Sequence, residues 1–346
     1  VASISVQTQP TTMTYTTGQA LDLTGLEITV SYAGSTYTQD ITWSADSGIT
    51  AKIDNVEVNN NTVLSASQHN GKAVTITYEG QSAQTSALSV SKANQTGFAF
   101  TEESPKEVDY SPNGTFTVKA EGGSGTGNVT YAVASGTDVI SISGDTVTIL
   151  KAGTATITAT KAEDGDYNKA TATLTVTVEK ATPTVTPPQA VENLTFTGEA
   201  QALITAGTTT GGTLVYSLEQ NGEYTETIPT GTDAKAYTVW YKVNGDENYN
   251  NTTAQSVSVS IGKAAATVTT APQAVTGLTY TGNPQALVTA GTAEGGEMQY
   301  STDGSNYYTD IPTGINAGDY TVWYKVVGDE NHSDTEPVEI TVTISQ

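Results

Sequence analysis

Apolar and polar residues alternate one by one through much of this chain. From Tyr320 to Val327, one set is Tyr320, Val322, Tyr324 and Val326, and the other is Thr321, Trp323, Lys325 and Val327. A period of two belongs to a β-strand with one buried face, and the first set is the better inner face. The same alternation runs through SALSVS up to Ser91, TLTVTV up to Val178 and SVSVSI up to Ile261. No window carries a stripe at the helical period, so the chain reads as all-β.

The pattern also repeats at long range. LTFTGEAQALITAG from Leu194 returns from Leu278, 84 residues on, as LTYTGNPQALVTAG, and AYTVWYKVNGDEN from Ala236 returns from Asp319, 83 residues on, as DYTVWYKVVGDEN. A unit of that size buries its own core, so the repeat marks whole domains in tandem. The last three alternating segments named above are each followed, directly or after one residue, by a Lys-Ala step, at Lys92-Ala93, Lys180-Ala181 and Lys263-Ala264. These steps read as short linkers and divide the 346 residues into four modules, 1–91, 92–180, 181–263 and 264–346. Linkers this short, some with prolines such as Pro183, Pro187 and Pro188, predict an extended rod, on the order of 130 Å at about 3.3 Å per strand residue.

Composition narrows the function. Charged residues make up 14% of the chain, all 13 basic residues are lysine, and the formal charge is −23. Phosphate backbones are repelled by such a surface, which excludes nucleic acid as a partner, and the charge favours a soluble monomer. Cysteine is absent, removing disulfides, thiolate metal sites and thiol nucleophiles together. The chain opens on Val1 without a signal segment and holds no apolar run of about 18 residues, so it reads as a stretch of something longer that does not itself insert into a membrane.

Named motifs carry a family resemblance. Asn316-Ala317-Gly318-Asp319 delivers Tyr320 onto a strand two residues before Val322, and Tyr237 stands likewise before Val239. This arrangement resembles the tyrosine corner of immunoglobulin-like sandwiches, with a valine where antibody domains carry cysteine. Pro10, Tyr15, Gly18, LDLTGL from Leu21, the strand Ile28, Val30, Tyr32 and VTITYEG from Val74 resemble a group-three bacterial Ig-like domain. VISISGDTVTILKAGTATITAT from Val139, with its Lys151-Ala152-Gly153 turn, is similar to the group-two domain. The last two modules resemble looser bacterial Ig-like repeats ending in a GD-x-N-Y turn, Gly245 to Tyr249 and Gly328 to His332, the latter with histidine in the tyrosine's place. The resemblance implies four tandem immunoglobulin-like antiparallel β-sandwiches. It further implies a non-catalytic bacterial module, secreted or attached to the cell wall, in an adhesin or a glycan-active surface protein.

Candidate chemistry is sparse. His69 and His332, the only histidines, fall in different modules, so neither a Ser-His pair nor a histidine metal cluster assembles within one domain. An 85-residue sandwich offers no cleft for a glycosidase carboxylate pair, and the chain is read as no enzyme. On the outward face, Trp240 with Lys242 and Trp323 with Lys325 are candidate ligand-binding residues, since an indole stacks on a sugar ring or a partner. The opposing reading is an indole shielded by the lysine stem and a neighbouring tyrosine. The acidic turns Glu163-Asp164-Gly165-Asp166, Asp246-Glu247-Asn248 and Asp329-Glu330-Asn331 offer oxygens to calcium, although Asp, Asn and Gly also suit any strand-connecting turn. Lys180 and Lys263 sit where a covalent Lys-Asn bond would begin, or are solvated linker lysines. The expected function is a stalk or spacer; the alternative is a binding module for polysaccharide or for a host surface protein.

Overall fold

The computed structural model describes all residues from Val1 to Gln346. The chain is all-β, built of tandem immunoglobulin-like β-sandwich domains, and divides into two compact units, Val1–Lys180 and Ala181–Gln346. Each unit holds two separate hydrophobic cores.

In the first unit, the first core lies between two sheets. One contains Ser3–Thr8, Glu27–Ser31 and Thr38–Thr42; the other runs Val56–Val58, Thr50–Ile53, Ala73–Tyr78, Gln81–Ala87. Ile4, Ile28 and Val30 from one face meet Ala51, Val74 and Ile76 from the other, and Leu21, Leu23 and Leu26 of the LDLTGL segment are buried among them. The second core lies between Lys106–Asp109, Ala170–Glu179, Gly153–Lys161, Val129–Ser135 and a sheet of Thr115–Thr117, Thr146–Ile149, Ile140–Ser143. Here the Lys151-Ala152-Gly153 turn carries the chain from one sheet to the other. Gly153 has φ +148, and a β-carbon there would stand 2.9 Å from a Val139 methyl, so glycine is required where the corner tightens.

In the second unit, Leu194–Thr195, Gln255–Gly262, Ala236–Asn244 and Thr213–Ser217 form one sheet over the third core. Gly296–Ser301, Gly318–Gly328 and Val338–Ile344 form the matching sheet over the fourth. Val239, Tyr241 and Val243 are buried on one strand and Val322, Tyr324 and Val326 on its repeat, following the alternation. Tyr237 donates its hydroxyl to the Asp233 carbonyl at 3.0 Å, and Tyr320 donates to that of Asn316 at 2.9 Å, which builds both tyrosine corners.

Three features depart from the sequence reading. The sandwiches are not wholly antiparallel: in each, a short early segment runs parallel to the last strand. The pairs are Thr14–Thr16 with Ser89–Ser91, Lys106–Asp109 with Ala170–Glu179, Leu194–Thr195 with Gln255–Gly262, and the Thr279 to Ser345 bridge. An early segment parallel to the last strand brings the chain in at one end of a sandwich and out at the other. One short helix, Ala66–His69, also forms, as a single turn too short to leave a periodic stripe.

The third departure is that the Lys-Ala steps, read as short linkers, are tied down by backbone pairing. Ala93, Ala181 and Ala264 each make a parallel bridge with the residue that ends an acidic turn, Tyr167, Tyr249 and His332. The Ala93 amide donates to the Asp166 carbonyl at 2.9 Å, and Ala93 accepts from Asn168 at 2.8 Å; Ala181 repeats the pair with Asn248 and Asn250 at 3.0 and 2.9 Å. The turn thus supplies hydrogen bonds that this half-exposed backbone would otherwise make to water.

Candidate functional site

The acidic turns are the most elaborate polar construction in the molecule, and each is organised by one aspartate. Asp164 accepts through Oδ1 from the amides of Asp166 (2.9 Å) and Tyr167 (2.8 Å), and through Oδ2 from the amide and hydroxyl of Thr126 (2.6 and 3.1 Å). Asp246 takes the amides of Asn248 (2.7 Å) and Tyr249 (2.9 Å) on Oδ1 and that of Gly212 (3.0 Å) on Oδ2. Asp329 takes the Asn331 amide at 2.8 Å and meets His332 Nδ1 at 2.7 Å. The aspartate oxygens weighed as an offer to calcium accept from amides of the turns and, at Asp164 and Asp246, from Thr126 and Gly212, and no group of three or more histidine or acidic side chains is arranged to hold a metal ion.

These bonds favour the ionised carboxylate. The Thr126 amide, followed by that of Asp166, lowers the Asp164 pKa from 3.8 to about 2, and the His332 side chain lowers that of Asp329. A folded-state pKa below the unfolded one contributes stability that is complete above the unfolded value, near 3.8, and disappears as pH falls through about 2. Urea midpoints of the wild type therefore fall between pH 4 and pH 2, and Asp164→Asn, whose amide does not titrate, loses less over that window. An equal loss in both would remove Asp164 from the acid response.

Within each unit the turn also reaches a neighbouring sandwich. Asp166 accepts from the Ser67 amide at 2.8 Å and the Ser67 hydroxyl at 2.9 Å, so the short helix of the first sandwich sits on the turn of the second. Asn331 accepts from the Ala234 amide at 2.7 Å, and the His332 ring meets Phe196 edge-on with centroids 5.1 Å apart. The turn lysines are engaged as well. Lys92 pairs with Glu163 at 3.1 Å, and Lys263 Nζ donates to the carbonyls of Asp329 (2.7 Å) and His332 (3.2 Å). Lys263 thus stays exposed while it donates to two backbone carbonyls, and neither contact is to an asparagine amide.

On the outward face of the repeat strands, Trp240 and Trp323 are half-buried, as are Lys242 and Lys325. Trp240 lies opposite Ser217, and Trp323 opposite Ser301, with Gly304 close enough that a β-carbon there would stand 3.5 Å from the indole. Lys242 Nζ sits 4.2 Å from the centre of the Tyr224 ring; Lys325 Nζ sits 5.0 Å from that of Tyr307 and 2.9 Å from Asp334 Oδ2. The structure brings each tryptophan and lysine onto one strand face, and the two pairs belong to separate cores. Sequence reasoning anticipated a neighbouring tyrosine but did not identify Tyr224 or Tyr307. Both stand four residues before the isoleucine of a repeated IPTG, the signal that would have found them.

The histidines do not form a catalytic pair. His69 Nδ1 accepts the Ser65 amide at 2.9 Å in the first unit, while His332 belongs to a turn of the second. Both act as local structural groups. No helix is long and apolar enough to cross a membrane.

No family model and no curated protein matches the chain. Solved structures with similarity include immunoglobulin domains 1–4 of Sidekick-1, 12% identical over 99% of both chains with a TM-score of 0.27. Another is Drosophila N-cadherin EC1-3, 11% identical over 70% of this chain and 98% of that one, with a TM-score of 0.26. A third is a three-domain piece of the bacteriophage RB49 Highly Immunogenic Outer Capsid protein, 14% identical over 75% and 98%, with a TM-score of 0.23. The assignment of the fold rests on the chain's own strand order and cores.

Proposed function

We propose that this chain is a non-catalytic spacer of a bacterial surface protein, secreted or wall-attached, made of four modules at 1–91, 92–180, 181–263 and 264–346. The observation that carries this reading is the parallel pairing of an early segment with the last strand in every sandwich, which makes each one a through-connection. The acidic turns support it. Bonds from Ser67 to Asp166 and from Ala234 to Asn331 fix one sandwich against the next within a unit, which a spacer needs and a flexible tether lacks.

The alternative places polysaccharide on Trp240 and Trp323, or a host surface protein on the same face. Half-burial of both indoles, with Lys242 and Lys325 turned onto Tyr224 and Tyr307, favours their use as packing over their use as a platform. Titration with starch, mucin and cell-wall polysaccharide leaves tryptophan emission unchanged under the spacer reading. A saturable change that vanishes in the Trp240→Ala, Trp323→Ala double variant would replace the spacer with a binding protein.

A further inference from the structure

The sandwich around the second core differs from the other three at one sheet edge. In every sandwich a strand flanks the long terminal hairpin. In the first, that strand is Thr50–Ile53, and Val56–Val58 pairs along its outer side. In the third and fourth, the outer sides of Thr213–Ser217 and Gly296–Ser301 are met by the returning chain, at Tyr216 with Thr225 and Tyr300 with Tyr308, each through two backbone bonds of 2.7 and 2.9 Å. In the second, the corresponding strand Val129–Ser135 pairs with Gly153–Lys161 and ends the sheet. The chain leaves it at Gly136 (φ +75), whose carbonyl accepts from Val139 at 2.9 Å and Ile140 at 3.1 Å, and passes straight to Ile140–Ser143, itself the end of the opposite sheet. No segment is left to cover either edge.

This bare edge lacks the devices that protect edges elsewhere. VTYAVAS contains no charge, proline or glycine, and its one register irregularity lies at the far end, between Val133 and Ser135. Between the two edges runs a groove of about 370 Å³, lined by Tyr131, Val133, Ile140 and Ile142. An added strand would complete the backbone ladder of Val129–Ser135 and lower every second side chain into that groove.

We propose that Val129–Ser135 is a strand-capture site whose occupant is an extended segment of a partner protein, apolar at alternate positions and flanked by basic residues. The period of two follows from the groove, and the basic flanks from the −23 charge of the chain, which also opposes pairing with a second copy. The site is independent of the spacer reading, since a spacer that captures nothing remains a spacer.

The test uses the full chain and an end-blocked synthetic peptide, Lys-Lys-Thr-Val-Thr-Val-Thr-Lys-Lys, followed by amide hydrogen exchange. The expected result is saturable slowing of exchange in 129–135, weakened at least about tenfold when glutamate replaces the flanking lysines. Two further peptides, N-methylated on one or the other alternate set of residues, probe pairing without altering the protein: one set abolishes the protection and the other preserves it. The proposal is overturned by no protection at about 1 mM peptide, by protection indifferent to both methylation patterns, or by peptide-free protection that rises with protein concentration and so assigns the edge to a second copy.

Discussion

Gly328→Ala destabilises the sandwich around the fourth core by about 3 kcal/mol, and Gly245→Ala does the same around the third. A β-carbon at Gly328 would stand 2.2 Å from the His332 carbonyl oxygen, 2.7 Å from its carbon and 2.8 Å from the Ser333 carbonyl carbon. At Gly245 it would stand 2.1 Å from the Tyr249 carbonyl oxygen. Every atom in the way is backbone, so no side chain can rotate aside. Neither can the turn open cheaply: the Gly328 amide donates to Asp334 at 2.9 Å, that of Gly245 donates to Asn251 at 2.7 Å, and the far side of each turn is paired to Ala264 or Ala181. Gly262→Ala is the control, because its β-carbon would meet only the Leu194 carbonyl oxygen, at 3.4 Å. Urea unfolding of the three variants separates them. A Gly328→Ala midpoint equal to that of Gly262→Ala would show that the turn yields to the added methyl group.

Leu287→Ala costs about 3 kcal/mol, through lost transfer energy and the cavity left behind. Leu287 is fully buried in the fourth core, and Leu203 occupies the repeated position in the third. The loss is local. Amides of Gly318–Gly328, which pack over that core, lose exchange protection, while those of Gly153–Lys161 keep theirs, because the two strands belong to different cores in different compact units. Hydrogen exchange read strand by strand measures both at once. Equal loss in the two strands would mean that the chain unfolds as one cooperative body and not core by core.

The alternation of Tyr320, Val322, Tyr324 and Val326 was enough to assign the buried face of the repeat strand, and the turn before Tyr320 was enough to foresee its hydroxyl on a nearby carbonyl. Both are properties of neighbouring residues on one strand. Trp323 and Lys325 were placed on the outer face by the same rule, but the rule says nothing of what lies above them. Tyr307 and Gly304 arrive there on a hairpin arm whose course depends on the Tyr300 to Tyr308 bridge.

The Lys-Ala steps show the same division. A polar break after an alternating strand looks like a linker because sequence distance hides its partner: Ala264 pairs with His332, 68 residues on. The sequence alone determined the all-β class, the buried faces and the repeated units, since these follow from side-chain period and self-similarity along the chain. The tertiary structure alone decided which turns hold one sandwich against another and which edge is left without a strand, because a hydrogen-bonded ladder joins residues that no local pattern relates.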